Sequence, residues 1–262
     1  MTDRAVSGTV EDRPTAPPTG HHRAPRLHVD ASLAAGASID LPPDQAHYLV
    51  AVMRLKTGAT ARLFNGHDGE WLATVEETGK RRCRLACVEA LRPQTGLPDI
   101  HYLFAPLKHA RIDYVAQKAT EMGASVLQPV LTGRTVAQRV KTERLRANAV
   151  EAAEQCNLLA IPEIRDPAPL DRLLDGWDTE RRLIYCDEAA PLASPLDALR
   201  AVPKGPLALL IGPEGGFTEA EQRRLRALDH VTAISLGPRV MRADTAAVAA
   251  LAVVQATLGD WH

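Results

Sequence analysis

The chain has 262 residues, enough for one large domain or two modest ones. It is 45% hydrophobic but only 4% aromatic, and its formal net charge of -1 excludes a global field that would draw it to nucleic acid or a membrane. Any polyanion site must be a local patch, and the longest apolar stretch, Ala246 to Leu258, is shorter than the ~20 residues a membrane span needs.

Residues 1–25 are rich in Pro, Thr, Gly and charge and lack an apolar core, which predicts a disordered tail rather than a signal peptide. From Arg26 to Pro93 the signals are mostly β. RLHVD and ASIDL are short extended runs, and PDQAHYLVAVMR (Pro43 to Arg54) predicts a short helix entered through a proline. ATARLFNG and GEWLATVEE flank NGHDG, which suits a hairpin turn, and TGK turns the chain again into RRCRLACVEAL. Residues 26–93 are therefore expected to form a small β-barrel, with LRPQTGLPD (Leu91 to Asp99) as the linker beyond it.

Over 99–262 strands alternate with helices. IHYLFAP, SVLQPVLT, RRLIYCDE, PLALLIG and VTAISLG read as strands. RIDYVAQKATEMG (closed by Gly123), TERLRANAVEAAEQC, SPLDALRAV, TEAEQRRLRAL and DTAAVAALAVVQATLG read as helices. Continuous apolar strands between helices indicate an α/β fold with a parallel sheet covered on both faces. The last helix is apolar nearly all round, so it either crosses the core or packs against a second subunit.

Two glycine-bearing loops fall where α/β sheets place ligands, at the C-terminal ends of strands. The first is in LLIGPEGGFTEAE, Leu209 to Glu221. A phosphate cradle needs a Walker lysine with Ser/Thr, or GxGxxG, and GPEGG has neither. Its acids, Glu214, Glu219 and Glu221, would repel phosphate, and Thr218 to Glu221 has the spacing of a capping box. The second loop, SLGPRVMRADTAA (Ser235 to Ala247), repeats Gly-Pro and offers Asp244 or Thr245 as a helix cap. Side by side on consecutive strands, the two turns would frame a pocket of backbone groups for a ligand without phosphates, with Arg239 and Arg242 at its edge. The alternatives are tight turns without a ligand and arginines that are merely solvated.

Lys108 to Arg146 carries eight Lys/Arg (Lys108, Arg111, Lys118, Arg134, Arg139, Lys141, Arg144, Arg146) against three acids. The first domain adds Lys80 to Arg84, Arg26 and Arg54. Such stretches are either solvated faces or an RNA patch, and their occurrence in both domains favours RNA. His47 reads as a packing residue, and His21 and His22 fall in the tail. No nucleophile–base set or metal spacing stands out. Cys83, Cys87, Cys156 and Cys186 form no CxxC, which fits a reducing cytoplasm without disulfide or zinc.

LLIGPEGGFTEAE followed by SLGPRVMRADTAA closely resembles the signature loops of the SPOUT class of methyltransferases, and more narrowly the ribosomal RNA small subunit methyltransferase E family. APRLHV, HYLVAVMRLKTGATARLFNG, LKHARIDYVAQKATEMGASVLQPV and VEAAEQCN resemble further segments of that family, in order, from Arg26 to Gly259. The chain departs from it at Leu158 and Leu159, where members commonly carry an arginine, and at Arg242-Ala243-Asp244-Thr245, where many have Arg-Thr-Glu-Thr.

The resemblance implies a trefoil-knotted parallel sheet over 99–262 and a PUA-like RNA-binding β-barrel over 26–93, in a cytoplasmic homodimer with its site at the subunit interface. It implies methylation of N3 of a uridine in 16S rRNA, within the small subunit, with S-adenosylmethionine as cofactor and no metal. Leu210, Ile211, Gly212, Pro213, Glu214, Gly215, Gly216, Leu236, Gly237, Pro238 and Met241 would hold the cofactor. Arg242, with Arg239 second, would be catalytic, and Arg26, Arg54, Lys108, Arg111, Lys118 and Arg134 would hold RNA. The alternatives are a SPOUT enzyme acting on another base or a ribose 2′-hydroxyl, and a non-catalytic RNA-binding or assembly protein.

Overall fold

The computed structural model describes residues 21, 23–108, 110–136, 139–190 and 194–261, so nearly all of the expected disordered tail lies outside the described residues. The chain divides into two compact units, Met1–Thr95 and Gly96–His262.

The first unit holds β1 (Arg26–His28), β2 (Ser38–Asp40), α1 (Pro43–His47), β3 (Thr60–Phe64), β4 (Glu70–Gly79) and β5 (Arg82–Arg92). Pro43 opens α1, which runs straight into a π-helical turn, Tyr48–Val52. The strands pair in the order β1-β3-β4-β5-β2, antiparallel except for β1 with β3. Among the described residues β2 does not pair back onto β1, so the expected barrel is an open path of strands around a core that includes Leu27, Leu49, Leu63 and Leu85. The β3–β4 hairpin turns as its sequence predicts: Asn65 Oδ1 accepts from the N–H groups of His67 and Asp68 at 3.0 and 2.8 Å. Gly69 adopts φ +78°, and a Cβ there would lie 2.3 Å from the carbonyl oxygen of Arg92. His47 is exposed rather than packed.

A buried ion cluster fixes the start of β4. Glu70 accepts hydrogen bonds from Arg92 Nε (3.0 Å), Arg92 Nη2 (3.1 Å) and Arg26 Nε (2.5 Å), with Arg62 Nη1 at 3.7 Å. The Arg26 guanidinium lies 3.8 Å from the Phe64 ring centre. Burial pushes the Arg26 pKa down to about 10. Burial also opposes ionisation of Glu70, but hydrogen bonds from Arg92 and Arg26 outweigh it and hold the carboxyl below its ordinary range. Arg26 is only 7% exposed, so the expectation that it grips RNA is corrected: its charge is spent inside the fold.

The second unit holds β6 (Ile100–Phe104), α2 (Ala110–Glu121), β7 (Val126–Leu131), α3 (Thr142–Gln155), β8 (Glu163–Ile164), β9 (Ala168–Pro169) and α4 (Leu170–Asp175). It continues with β10 (Arg182–Cys186), α5 (Pro195–Arg200), β11 (Leu207–Ile211), α6 (Glu219–Arg226), β12 (Val231–Ile234) and α7 (Ala243–Thr257). The sheet is parallel, in the order β12-β10-β11-β6-β7-β8, with β9 pairing β7. Successive residues of β11 face opposite layers: Leu207, Leu209 and Ile211 pack with α2, α5 and α7, while Ala208 and Leu210 pack with α4 and α6. This two-sided burial is why the strand reads as continuously apolar.

Thr218 caps α6, its hydroxyl accepting from Glu221 N, and Thr218 N donates to Glu221 Oε2, completing the box its spacing predicts. At α7 the expectation is corrected. Arg242 occupies the cap position without a side-chain bond, and Asp244 Oδ1 accepts from Thr245 N inside the first turn. Gln255, fully buried on α7, donates to Met122 O at 2.5 Å and so ties this helix to the end of α2.

Replacing Glu70 with Gln leaves three buried arginines without their shared carboxylate and is expected to cost about 3–5 kcal/mol in denaturant unfolding. Glu70's folded pKa lies below its ordinary 4.5, so its contribution is complete above that pH and is lost as pH falls through the folded value. Wild type should therefore lose stability below pH 4.5 more steeply than Glu70→Gln.

Candidate active site

Parallel pairing sets three strand ends level: Cys186 lies opposite Ile234, and Tyr185 opposite Leu210. The loops after β10, β11 and β12 therefore leave the sheet at one height and surround a cavity of about 290 Å³. That volume is just under the roughly 300–1,000 Å³ found for small-molecule sites. β12 does not pair with β11 as their succession in the chain suggests; β10 lies between them and supplies a third wall, Cys186 to Glu188.

The first loop closes tightly, with Gly216 N donating to Pro213 O at 2.8 Å and Gly216 at φ +67°. Gly212 lies against the Phe217 ring, where a Cβ would come within 2.9 Å of Cε2. Phe217 meets the Tyr185 ring edge-to-face at 5.9 Å. In the second loop Gly237 has φ +106°, and its N–H donates to Ser235 Oγ at 3.3 Å. Glycines thus sit where backbone must turn left-handed or pass close to a ring.

Ten expected site residues line this cavity: Ile211, Gly212, Pro213, Glu214, Gly216, Leu236, Gly237, Met241, Arg239 and Arg242. Three do not. Leu210 is fully buried in the opposite core layer, as strand alternation demands. Gly215 lies outside the lining, its carbonyl accepting from Arg134 Nη1 at 2.8 Å, and Pro238 is exposed off the cavity. Nine lining residues were not singled out in the sequence, among them Cys186, Asp187, Glu188, Phe217 and Val240. The only signal for the acids was their position after an apolar strand, and Val240 is 88% exposed at the rim.

Asp187 is buried and holds the third wall in place. Oδ2 accepts from Tyr185 Oη (3.0 Å) and Arg226 Nη2 (2.6 Å), and Oδ1 accepts from Ala189 N (3.0 Å). Burial would raise its pKa, but the bonds from Arg226, the Ala189 N–H and Tyr185 prevail and hold the carboxyl below its usual range. Burial pushes the Cys186 thiol up to about 12, so it stays protonated. Among the described residues, Arg239 and Arg242 take no ion-pair partner. The cavity thus presents three carboxylates (Asp187, Glu188, Glu214) and two uncommitted guanidiniums.

The expected RNA residues separate. Arg54, at φ +57°, and Lys108 are exposed without an ion-pair partner among the described residues. Lys118 pairs with Glu121 at 2.7 Å. Arg111 lies 3.5 Å from Glu214 and 3.9 Å from Asp244, and Arg134 reaches the first loop.

Two family models match this chain, an RNA methyltransferase domain over residues 95–255 and an RNA methyltransferase PUA domain over 41–86. The ribosomal RNA small subunit methyltransferase E of Rickettsia conorii is 30% identical over 232 residues, covering 88% of this chain and 94% of its own. That of Bacillus subtilis is 30% identical, covering 80% and 87%. Among solved structures, the Neisseria gonorrhoeae ribosomal RNA small subunit methyltransferase E bound to S-adenosyl methionine superposes with TM-score 0.82 at 25% identity, over 91% of this chain and 100% of its own. A Legionella pneumophila protein with bound cofactor SAM gives 0.81 at 29% identity, over 91% and 99%.

Asp187→Ala is expected to cost about 1–3 kcal/mol, because the buried Tyr185 hydroxyl loses its acceptor. Urea unfolding of the variant measures it, and Tyr185→Phe in the same background should restore part of the loss.

Proposed function

The chain belongs to the ribosomal RNA small subunit methyltransferase E family of RNA methyltransferases, and from that membership we propose that it methylates N3 of a uridine in 16S ribosomal RNA with S-adenosylmethionine. The observation that carries the reading is a cavity walled by backbone and carboxylates at one sheet edge, with two uncommitted arginines on it.

The residues present fit such a cofactor. The walls are main chain from two Gly-Pro loops, with apolar contact surface from Ile211, Phe217, Leu236 and Met241. No lysine is among the described lining residues, and Glu188, the lining acid without an ion-pair partner among them, disfavours a polyphosphate while suiting a cation. When bound, the cofactor supplies a methyl group on a positively charged sulfur. The loops then have to align it, and alignment alone can lower such a barrier substantially.

Arg242 stands immediately before α7, whose first residues, Ala243 and Ala246, also line the cavity. The positive end of this helix and the Arg242 guanidinium, with Arg239 second, would stabilise the negative charge that develops on the uracil ring as N3 gives up its proton. A base must leave its stack to reach the cavity, so flipping or a single-stranded target is part of the reading.

RNA phosphates would be held by Arg54 on the first unit, and by Lys108, Arg139, Lys141 and Arg146 on the second, all exposed. Such contacts position the substrate more than they specify it. The homodimer is part of the same reading: α7 buries Ala246, Ala250, Leu251 and Val254 and leaves Val248, Ala249 and Ala252 half-exposed, an apolar stripe suited to a second copy. So are the trefoil crossing of the two loops, assembled small subunits as substrate, and a cytoplasmic site of action. No helix of the described residues is long and apolar enough to cross a membrane.

The test is methyl transfer onto small ribosomal subunits from cells lacking this protein, with the product mapped by mass spectrometry. A methyl on uridine N3 is expected; one on a ribose oxygen or another base overturns the assignment. Arg242→Ala should lower kcat about 10²-fold or more while cofactor affinity stays within about twofold. Near-normal turnover would remove Arg242 from the chemistry.

A further inference from the structure

We propose that Arg134 and Arg111, both inside the basic band that suggests RNA, are instead positioning residues that brace the first cavity loop from its outer side. The inference rests on the cofactor reading above and deepens it by identifying what holds the cofactor loop in shape.

The brace begins with the turn after β7. Thr132 N donates to Thr135 Oγ1 at 2.9 Å, and Thr135 N to Thr132 O at 3.1 Å, so the turn is closed on itself. It docks on the loop at two points. Gly133 N donates to Glu221 Oε1 at 2.7 Å, while Glu221 Oε2 accepts from Thr218 N at 2.7 Å. Arg134 Nη1 donates to Gly215 O at 2.8 Å. A Cβ on Gly215 would touch the Arg134 stem at 3.5–3.6 Å, and one on Gly133 would come within 2.9 Å of Thr218 Cγ2. Segments more than eighty residues apart in the chain are thus in close contact.

Arg111, on α2, adds the second hold. Its guanidinium bridges Glu214 Oε1 (3.5 Å) in the first loop and Asp244 Oδ2 (3.9 Å) in the first turn of α7, just after the second loop. One cation on a rigid helix therefore links the two loops that carry the site. Each of these ion pairs is half-exposed and weak by itself, and the charge-assisted bond from Arg134 to a carbonyl is the stronger tie. The nitrogens that hold the loop, Arg134 Nη1 and Arg111 Nη1 and Nε, are committed to it and are not offered to an RNA phosphate. A loop already held in its binding shape loses less entropy when the ligand arrives.

Calorimetry of the full chain with S-adenosylmethionine, in the absence of RNA, tests this. Arg134→Ala should weaken binding about five- to tenfold, and Arg134→Lys should recover part of it because an ammonium can also donate to Gly215 O. Arg111→Ala should weaken it about two- to threefold, and that effect should shrink in a Glu214→Gln background, where only the longer contact to Asp244 remains. Gly133→Ala, which removes no charge but pushes the turn off Thr218, should also weaken cofactor binding. Melting temperature, RNA affinity and its salt slope should stay at wild-type values in all four single variants. Wild-type affinity for the cofactor in both Arg134→Ala and Gly133→Ala overturns the brace, and a shallower RNA salt slope with intact cofactor binding returns the arginines to RNA. A wild-type chain that does not bind S-adenosylmethionine fails the reading of the site and the brace with it, whereas wild-type binding with unaffected variants sinks the brace alone.

Discussion

The level pairing of β10 with β11 and β12 is the constraint on which the site depends. Buried faces fix the register of paired strands, because a slip of one residue would exchange the two layers of side chains. Here α2, α5 and α7 cover one face of β11 and α4 and α6 the other, so the register cannot drift. Cys186, Ile211 and Ile234 then end at one height, and three otherwise unrelated loops open onto the same edge. The cavity draws its lining from all three loops as a consequence of that alignment.

Charge then decides what such a cavity admits. A helix N-terminus and glycine-rich turns are general attractions for anions. Around this cavity Glu188, which has no ion-pair partner among the described residues, opposes that attraction, while Arg239 in the second loop and Arg242 at the α7 cap support it. The lining therefore carries both signs of charge, and the proposed reaction would use both. A uniformly basic cavity would bind phosphate and stop there.

What could be read from residues alone was the local chemistry. The two Gly-Pro loops, the Thr218–Glu221 box and the Asn65 turn are each set by neighbours within a few positions, and the structure forms all three. What could not be read depends on distant partners. Arg26 looked like an RNA contact because its carboxylate, Glu70, lies 44 residues away on another strand. The β10 wall was missed because β12 follows β11 in the chain while β10 inserts between them in space. β8, β9 and α4 are too short, at two to six residues, for any period to register. Arg242 rather than Asp244 or Thr245 holds the cap position because α7 begins at Ala243 and takes both of those residues into its first turn.

The acids of the first loop pose a difficulty that the arginines around them resolve. On the proposed function RNA approaches the edge where Glu214 and Glu221 sit, and two unpaired carboxylates there would repel it over a Debye length of ~8 Å. Glu221 is turned inward to Thr218 and Gly133, and Glu214 faces the Arg111 guanidinium. Both charges are therefore answered before any substrate arrives, and the same contacts that answer them fix the loop's shape. Deleting the carboxylates would remove the repulsion at the cost of the shape. Retaining them with partners on α2 and on the turn after β7 keeps both, which is why cations in this part of the basic band belong to the loop.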